Sequence, residues 1–348
     1  MLRIEVDAAA LGRVRFALSP LAVAWDALML VAEGDAPRRP RIGAKARSVL
    51  RERRLELLQA CFDPRRPYLP DFLTPVPAGY DEDLDAELHQ VATTSAGRVR
   101  AELGVLATTA AGGVPDQAAS RSGLGHPVIR TDPAARTLLQ ALDRGEEHLA
   151  ARLAAELADF FRATLAPEWP KLRGRLESDI ARRARDASRR GVGSVLADLH
   201  WCMVWDGDAL TLVRGPQGSM TAPSGVVLTP IAFHVVMAGG GIPPGLEPRS
   251  SQPPYLLYPA VNDDGGAART AASAAHALIG ATRTVLLKDL NRPRTTRELA
   301  RRHCLAESTV AYHLGILHRS GLATRVREGR NVLYQQSRQG ATLLVSAD

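Results

Sequence analysis

Apolar positions recur every three to four residues through most of the first 190 residues, the spacing that buries one stripe of an α-helix. On that pattern helices are predicted near 19–33, 42–60, 81–93, 97–109, 132–164 and 170–190. The run Pro20–Ala32 is the most apolar, interrupted only by Asp26, with Ser19 as cap, Pro20 in the first turn and Gly34 as stop. It is too short to span a bilayer and reads as a buried helix. Leu2–Val6 predicts an opening strand, and the Pro-bearing stretch 63–79 a loop. From His200 the period changes to two. His200–Trp205 and Ala209–Val213, either side of Asp206-Gly207-Asp208, predict a hairpin, with strands at Val226–Thr229, Phe233–Met237 and Tyr255–Tyr258. Gly239–Pro254 is a Gly/Pro/Ser-rich loop, and Val261–Ala268 reads as a hinge.

Beyond the hinge the pattern is more specific. An amphipathic helix is predicted over His276–Leu290, with Leu278, Ile279, Val285, Leu286 and Leu290 on its apolar side. Thr295-Thr296-Arg297-Glu298 is a capping box, in which Thr295 accepts from the Glu298 N–H and the Glu298 carboxylate reaches back. A short helix runs on to about His303 with Leu299 and Ala300 inward. Leu305-Ala306-Glu307 supplies a turn, and a second helix spans Ser308–Ser320 with Val310, Leu314 and Leu317 as its buried stripe and Gly321 as its stop. Thr324–Arg327 and Asn331–Tyr334 then flank Glu328-Gly329-Arg330 as a hairpin. Two helices joined by a tight turn, the second with a polar outer face, can lay that helix in a major groove, and the hairpin serves as a wing.

Charge points the same way. From Gly265 to Asp348 there are 13 Arg/Lys against 5 Asp/Glu, a net of +8, whereas the whole chain is +7, so residues 1–264 carry about −1. The pI of 9.7 therefore belongs to the C-terminal unit. That asymmetry suits a module that neutralises phosphates and releases counterions. The expected architecture is α+β: residues 1–262 form a helical domain with a small antiparallel sheet, and 265–348 a winged helix-turn-helix. The DNA-contacting candidates are Thr296, Ser308, Thr309, Tyr312, His313, Arg319, Arg325, Arg327 and Arg330. Ser308, Thr309, Tyr312 and His313 are candidates for base edges, and the wing arginines for phosphate or the minor groove. His313 either reads a base or closes the turn against the core.

The order Thr295-Thr296-x-Glu298-Leu299-Ala300, Ser308-Thr309-Val310-x-x-His313-Leu314-x-Ile316-Leu317, Ser320-Gly321-Leu322 and Arg327-Glu328-Gly329-Arg330-x-Val332-Leu333-Tyr334 resembles the ArsR (arsenic-repressor) family of bacterial regulators. The resemblance covers about residues 276–336. It implies a dimeric DNA-binding transcriptional regulator whose recognition helix is Ser308–Arg319. Metal-sensing members carry a Cys-x-Cys pair on the helix that here reads Glu298–Cys304, where only Cys304 is present. The tail after Tyr334 has no His, Cys or Glu, so no soft-metal site is expected. Ala306 stands where a capping Ser is common in the family, and Gly315 costs the second helix about 1 kcal/mol against Ala. The segments Arg13–Leu21, Tyr68–Pro75 and 191–201 resemble a set of regulators whose N-terminal domain, of unknown function, precedes such a winged helix.

Enzyme constellations are not found: no Gly-x-Ser-x-Gly elbow, no His-Glu-x-x-His, and no P-loop, since Gly239-Gly240-Gly241 lacks the following Gly-Lys-Ser/Thr. The chain is therefore read as a non-enzyme without cofactor. Cys61, Cys202 and Cys304 are too scattered for a disulfide framework, and the start lacks a secretory apolar stretch, so a cytoplasmic protein off the membrane is expected. His200, Cys202 and His234 have nothing that places them together. Trp201, Met203 and Trp205 share a strand face and either line an apolar ligand pocket or, as aromatics more often do, fill the core. Two functional readings follow. In one, a homodimeric repressor responds to a non-metal small molecule through its N-terminal domain. In the other, DNA binding is constitutive or partner-controlled and that domain is an assembly scaffold.

Overall fold

The chain is a helix-rich mixed α/β protein, seen in the computed structural model for residues 2–32, 40–62, 70–110, 133–200, 203–212, 218–233, 239–240, 253–260, 278–302, 305, 307–328 and 331–345. Strand β1 (Leu2–Glu5), helix α1 (Ala8–Leu11) and strand β2 (Arg15–Phe16) lead into α2 (Pro20–Ala32). There follow α3 (Pro40–Glu52), α4 (Glu56–Cys61), α5 (Leu84–Ala92), α6 (Ala96–Ala110), α7 (Pro133–Leu142), α8 (Glu146–Thr164), α9 (Trp169–Arg190) and α10 (Val192–Ala197). Their apolar stripes meet in a first core that includes Leu21 and Leu28 of α2, Leu58 of α4, Val91 of α5 and Leu149, Leu153 and Phe160 of α8.

Two predicted helices are each broken. The helix expected over 42–60 turns at Arg54, a non-glycine residue at φ 53°. The one expected over 132–164 ends before Gly145, whose φ of 104° no helix accommodates. Hydrophobic periodicity continues across both breaks, which is why it does not reveal them.

The strands are β3 (Met203–Trp205), β4 (Ala209–Leu212), β5 (Gly218–Thr221), β6 (Val227–Ile231), β7 (Gly239–Gly240) and β8 (Tyr255–Pro259). They do not make the small antiparallel sheet expected. One four-stranded sheet runs β3-β4-β1-β5, with β1 antiparallel to β4 but parallel to β5. A second runs β2-β6-β8-β7, and its β2–β6 and β6–β8 pairs are parallel. Alternation reports which face of a strand is buried, not its partner, and parallel partners lie far apart in sequence. Phe233 lies outside the strands, and the rest of the strand expected over 233–237 falls outside the described residues.

The sheets build a second core containing Ile4, Met203, Leu210, Leu228, Leu256 and Tyr258. Phe16 and Trp25 pack against both cores and join them. Asp26, the single charge in the apolar run, accepts the N–H groups of Ala232 and Phe233 just past β6.

The C-terminal unit contains α11 (Ala281–Asp289), β9 (Arg294–Thr295), α12 (Thr296–Arg302), α13 (Glu307–Arg319), β10 (Ala323–Glu328), β11 (Asn331–Gln336) and α14 (Arg338–Val345). Its third core is its own, with Leu286, Leu287 and Leu290 meeting Leu299, Val310, Leu314 and Leu317. The helix predicted from His276 is interrupted at Gly280 (φ 80°), and Leu278 is 73% exposed rather than on the buried stripe. Among the described residues no helix is long and apolar enough to cross a membrane.

Candidate nucleic-acid interface

Helix α12 starts at the reciprocal cap its sequence predicts. The Thr295 hydroxyl accepts from the Glu298 N–H at 3.1 Å, and the Glu298 carboxylate accepts from the Thr295 N–H at 2.8 Å. Strand β9, which the sequence does not reveal, pairs through Leu333↔Thr295 and Tyr334↔Arg294 and ties this cap to β11. The Leu305 N–H donates to the Ala300 carbonyl at 2.9 Å where the chain turns toward α13.

Helix α13 buries Val310, Leu314 and Leu317 and leaves a polar line outside. Ser308, Tyr312, Gly315 and Arg319 follow one another at i, i+4, i+7 and i+11, which places them on one stripe. Ser308, Tyr312 and Arg319 are exposed, and Thr309 beside them is half-buried. A Cβ added at Gly315 would lie 3.3 Å from Arg319 Nη1, so the Arg319 guanidinium lies back over the stripe at the point where Gly315 has no side chain.

His313 is half-buried, its ring edge-on to Tyr312 at 5.3 Å, and its Nδ1 is enclosed with no hydrogen-bond partner. Burial, and then the Arg283 charge from α11, hold its pKa below the ordinary imidazole value. Sequence reasoning passed over Arg283. Its spacing to His313 crosses two helices, so only the fold brings them together.

The ribbon of β10 and β11 pairs Arg325 with Tyr334 and Arg327 with Val332. Alternation puts Arg325 and Arg327 on one face, and both are exposed. Val326, on the opposite face, is 65% exposed. Thr296 is half-buried at the first position of α12. Arg330 and Gly329 lie outside the described residues, as do Cys304 and Ala306. Arg294 is occupied locally, donating to the Asp289 carbonyl at 3.0 Å with its carboxylate at 3.3 Å.

The pocket candidates are placed differently. Met203 is buried and Trp205 half-buried, both packed in the second core, and a Cβ at Gly193 of α10 would lie 2.9 Å from Trp205 Nε1. Trp201, Cys202 and His234 fall outside the described residues. Among the described residues no three His, Cys, Asp or Glu side chains converge as a metal site would require. No family model matches the chain, and no similar curated protein or solved structure is found.

Proposed function

We propose that the C-terminal unit is a winged helix-turn-helix that binds double-stranded DNA, and that the protein is a homodimeric transcriptional repressor of the ArsR-like type. One observation carries the reading. The order α11-β9-α12-α13-β10-β11-α14 closes around a single small core while α13 keeps Ser308, Tyr312 and Arg319 outside it. The net +8 of residues 265–348 supports the choice of partner. In this reading α13 enters the major groove, Thr296 and Arg319 hold backbone, and Arg325, Arg327 and Arg330 hold phosphate at the wing. Thr309 and His313 join Ser308 and Tyr312 at the bases. A neutral imidazole donates from one nitrogen and accepts at the other, so His313 adds hydrogen bonding rather than charge.

The test is fluorescence anisotropy of the full chain against a random-sequence duplex at 50 and 200 mM salt. Affinity falling steeply with salt supports the reading; no binding, or a flat salt dependence, overturns it. The packing of Met203 in the second core and of Trp205 against it favours, for the N-terminal part, a scaffold controlling assembly over a pocket lined by those residues.

A further inference from the structure

Among the described residues, three buried polar atoms without a hydrogen-bond partner lie together where the first core meets the second. At the start of α2 the Ser19 hydroxyl accepts the Ala22 N–H at 2.9 Å, and Glu87 of α5 accepts the Leu21 N–H through Oε2 at 2.8 Å. Glu87 Oε1, Thr229 Oγ1 on β6 and the Tyr255 hydroxyl on β8 are enclosed with no hydrogen-bond partner. Thr229 pairs across the sheet with Leu257, two residues from Tyr255, so Thr229 and Tyr255 project from the same face. Ser19 is a loose hydrogen-bonding neighbour of both Glu87 and Tyr255, and Thr229 of Tyr255, though none of these contacts is close or aligned enough to be a formed bond. Four oxygen-bearing side chains from four segments thus line one enclosure, and buried polar groups left unpaired are rare enough to require an explanation.

Among the described residues, no cation figures among the main influences on the Glu87 carboxylate. The charged groups acting on Glu87 are Glu82 and Asp83, which lead into α5, and both are acidic. Asp26, from α2, is engaged by the Ala232 and Phe233 amides. Glu156, from α8 packed along α5, is engaged by the Leu58 amide at 3.0 Å. From β8 comes only the Tyr255 hydroxyl, itself fully buried. Burial above all, aided by the acidic pair, pushes the Glu87 carboxyl up to about 8 against the opposing pull of Ser19 and the Leu21 N–H.

We propose that Glu87 is a proton-dependent latch: as a neutral acid it donates its O–H into the Ser19–Tyr255–Thr229 hydroxyl group, and loss of that proton to solvent loosens α2 from the sheet and from α5. The neutral acid provides a donor for the unpaired oxygens while Oε2 keeps the Leu21 N–H; an ionised carboxylate has no donor. Hydroxyls turning to face the carboxylate leave its charge buried among acids without a cation, the costly arrangement. The latch bears on β8, the last described strand before the C-terminal unit, and is independent of what that unit binds.

Trp25 is the built-in reporter, since it lies on α2 and packs against both cores. The experiment follows tryptophan fluorescence of the folded full chain from pH 6 to 9.5. The wild type is expected to show a step centred near pH 8 that Trp25→Phe removes. Glu87→Gln keeps an acceptor for Leu21 and a donor for the hydroxyls, so it is expected to show no step. Tyr255→Phe takes away one acceptor of the acid proton and is expected to lower the midpoint by at least half a pH unit. A wild type without a step, a Glu87→Gln protein with an unchanged one, or an unmoved midpoint in Tyr255→Phe overturns the latch. The wild-type and Tyr255→Phe measurements decide the matter if Glu87→Gln fails to fold.

Discussion

Asp26, in the middle of the most apolar helix, accepts the backbone N–H of Phe233 at 2.7 Å, 207 positions along the chain, and that of Ala232 at 2.8 Å through the same oxygen. The charge that interrupts the apolar run thus anchors α2 to the chain leaving β6. Replacing it with Ala strands two buried N–H groups and leaves a void. Asp26→Ala is expected to cost about 2–5 kcal/mol, and Asp26→Asn much less, because an amide oxygen can accept both bonds. Urea unfolding measures this; equal midpoints for Asp26→Ala and wild type would show that the anchor contributes nothing.

The same residue marks what the sequence can and cannot reveal. The periodicity of 20–32 identifies a buried helix, and the Thr295–Glu298 spacing identifies a cap, because both signals are local. What Asp26 serves depends on a partner some 200 residues away, as do the parallel pairs of β1 with β5 and β2 with β6. The polar stripe of α13 is legible from Val310, Leu314 and Leu317 alone, since burying one face defines the other. The setting of His313 is not, because the Arg283 charge acts on it from another helix.

Breaking the cap at Thr295 tests α12. Thr295→Ala removes the acceptor for the Glu298 N–H and is expected to destabilise the C-terminal unit by about 1 kcal/mol, while Thr295→Ser stays near wild type. Hydrogen exchange at Leu299 and Ala300 reads it out locally. Equal protection in the Ala and Ser variants would mean that the third core, not the cap, holds the helix start.

Gly340 carries α14 against the preceding chain. A Cβ there would lie 2.2 Å from the Leu322 carbonyl oxygen and 3.0 Å from Leu287 Cδ1. Gly340→Ala is expected to push α14 outward, loosening Leu343 and Leu344 from the third core at a cost of about 1–3 kcal/mol. An unchanged thermal midpoint would place α14 on a softer seat than its packing implies.

The proposed wing and recognition helix are expected to fail differently. Arg325→Gln and Arg327→Gln weaken binding to every duplex and reduce the slope of log affinity against log salt by about 1 each. Ser308→Ala and Tyr312→Phe leave that slope unchanged and narrow the gap between a selected site and random DNA. Anisotropy titrations at several salt concentrations separate the two. A Tyr312→Phe protein with an unchanged preference for its selected site would remove that side chain from base recognition.

The last expectation concerns where two copies meet. A single recognition helix reads only a few base pairs, and helix-turn-helix proteins commonly gain specificity from two half-sites a helical turn apart. The C-terminal unit has little surface for this by itself: α11 is 9 residues long and α14 is 8. Leu287 of α11 and Leu290 just past its end, and Leu343 and Leu344 of α14, already pack in or against the third core. The proposed dimer interface therefore falls mainly on residues 1–262, so that the N-terminal part sets the distance between the two α13 helices. Sedimentation of the full chain beside a 265–348 fragment tests this, with a dimer expected for the first and a monomer for the second. A fragment that dimerises as tightly as the full chain would move the interface to α11 and α14 and leave the N-terminal part no say in half-site spacing.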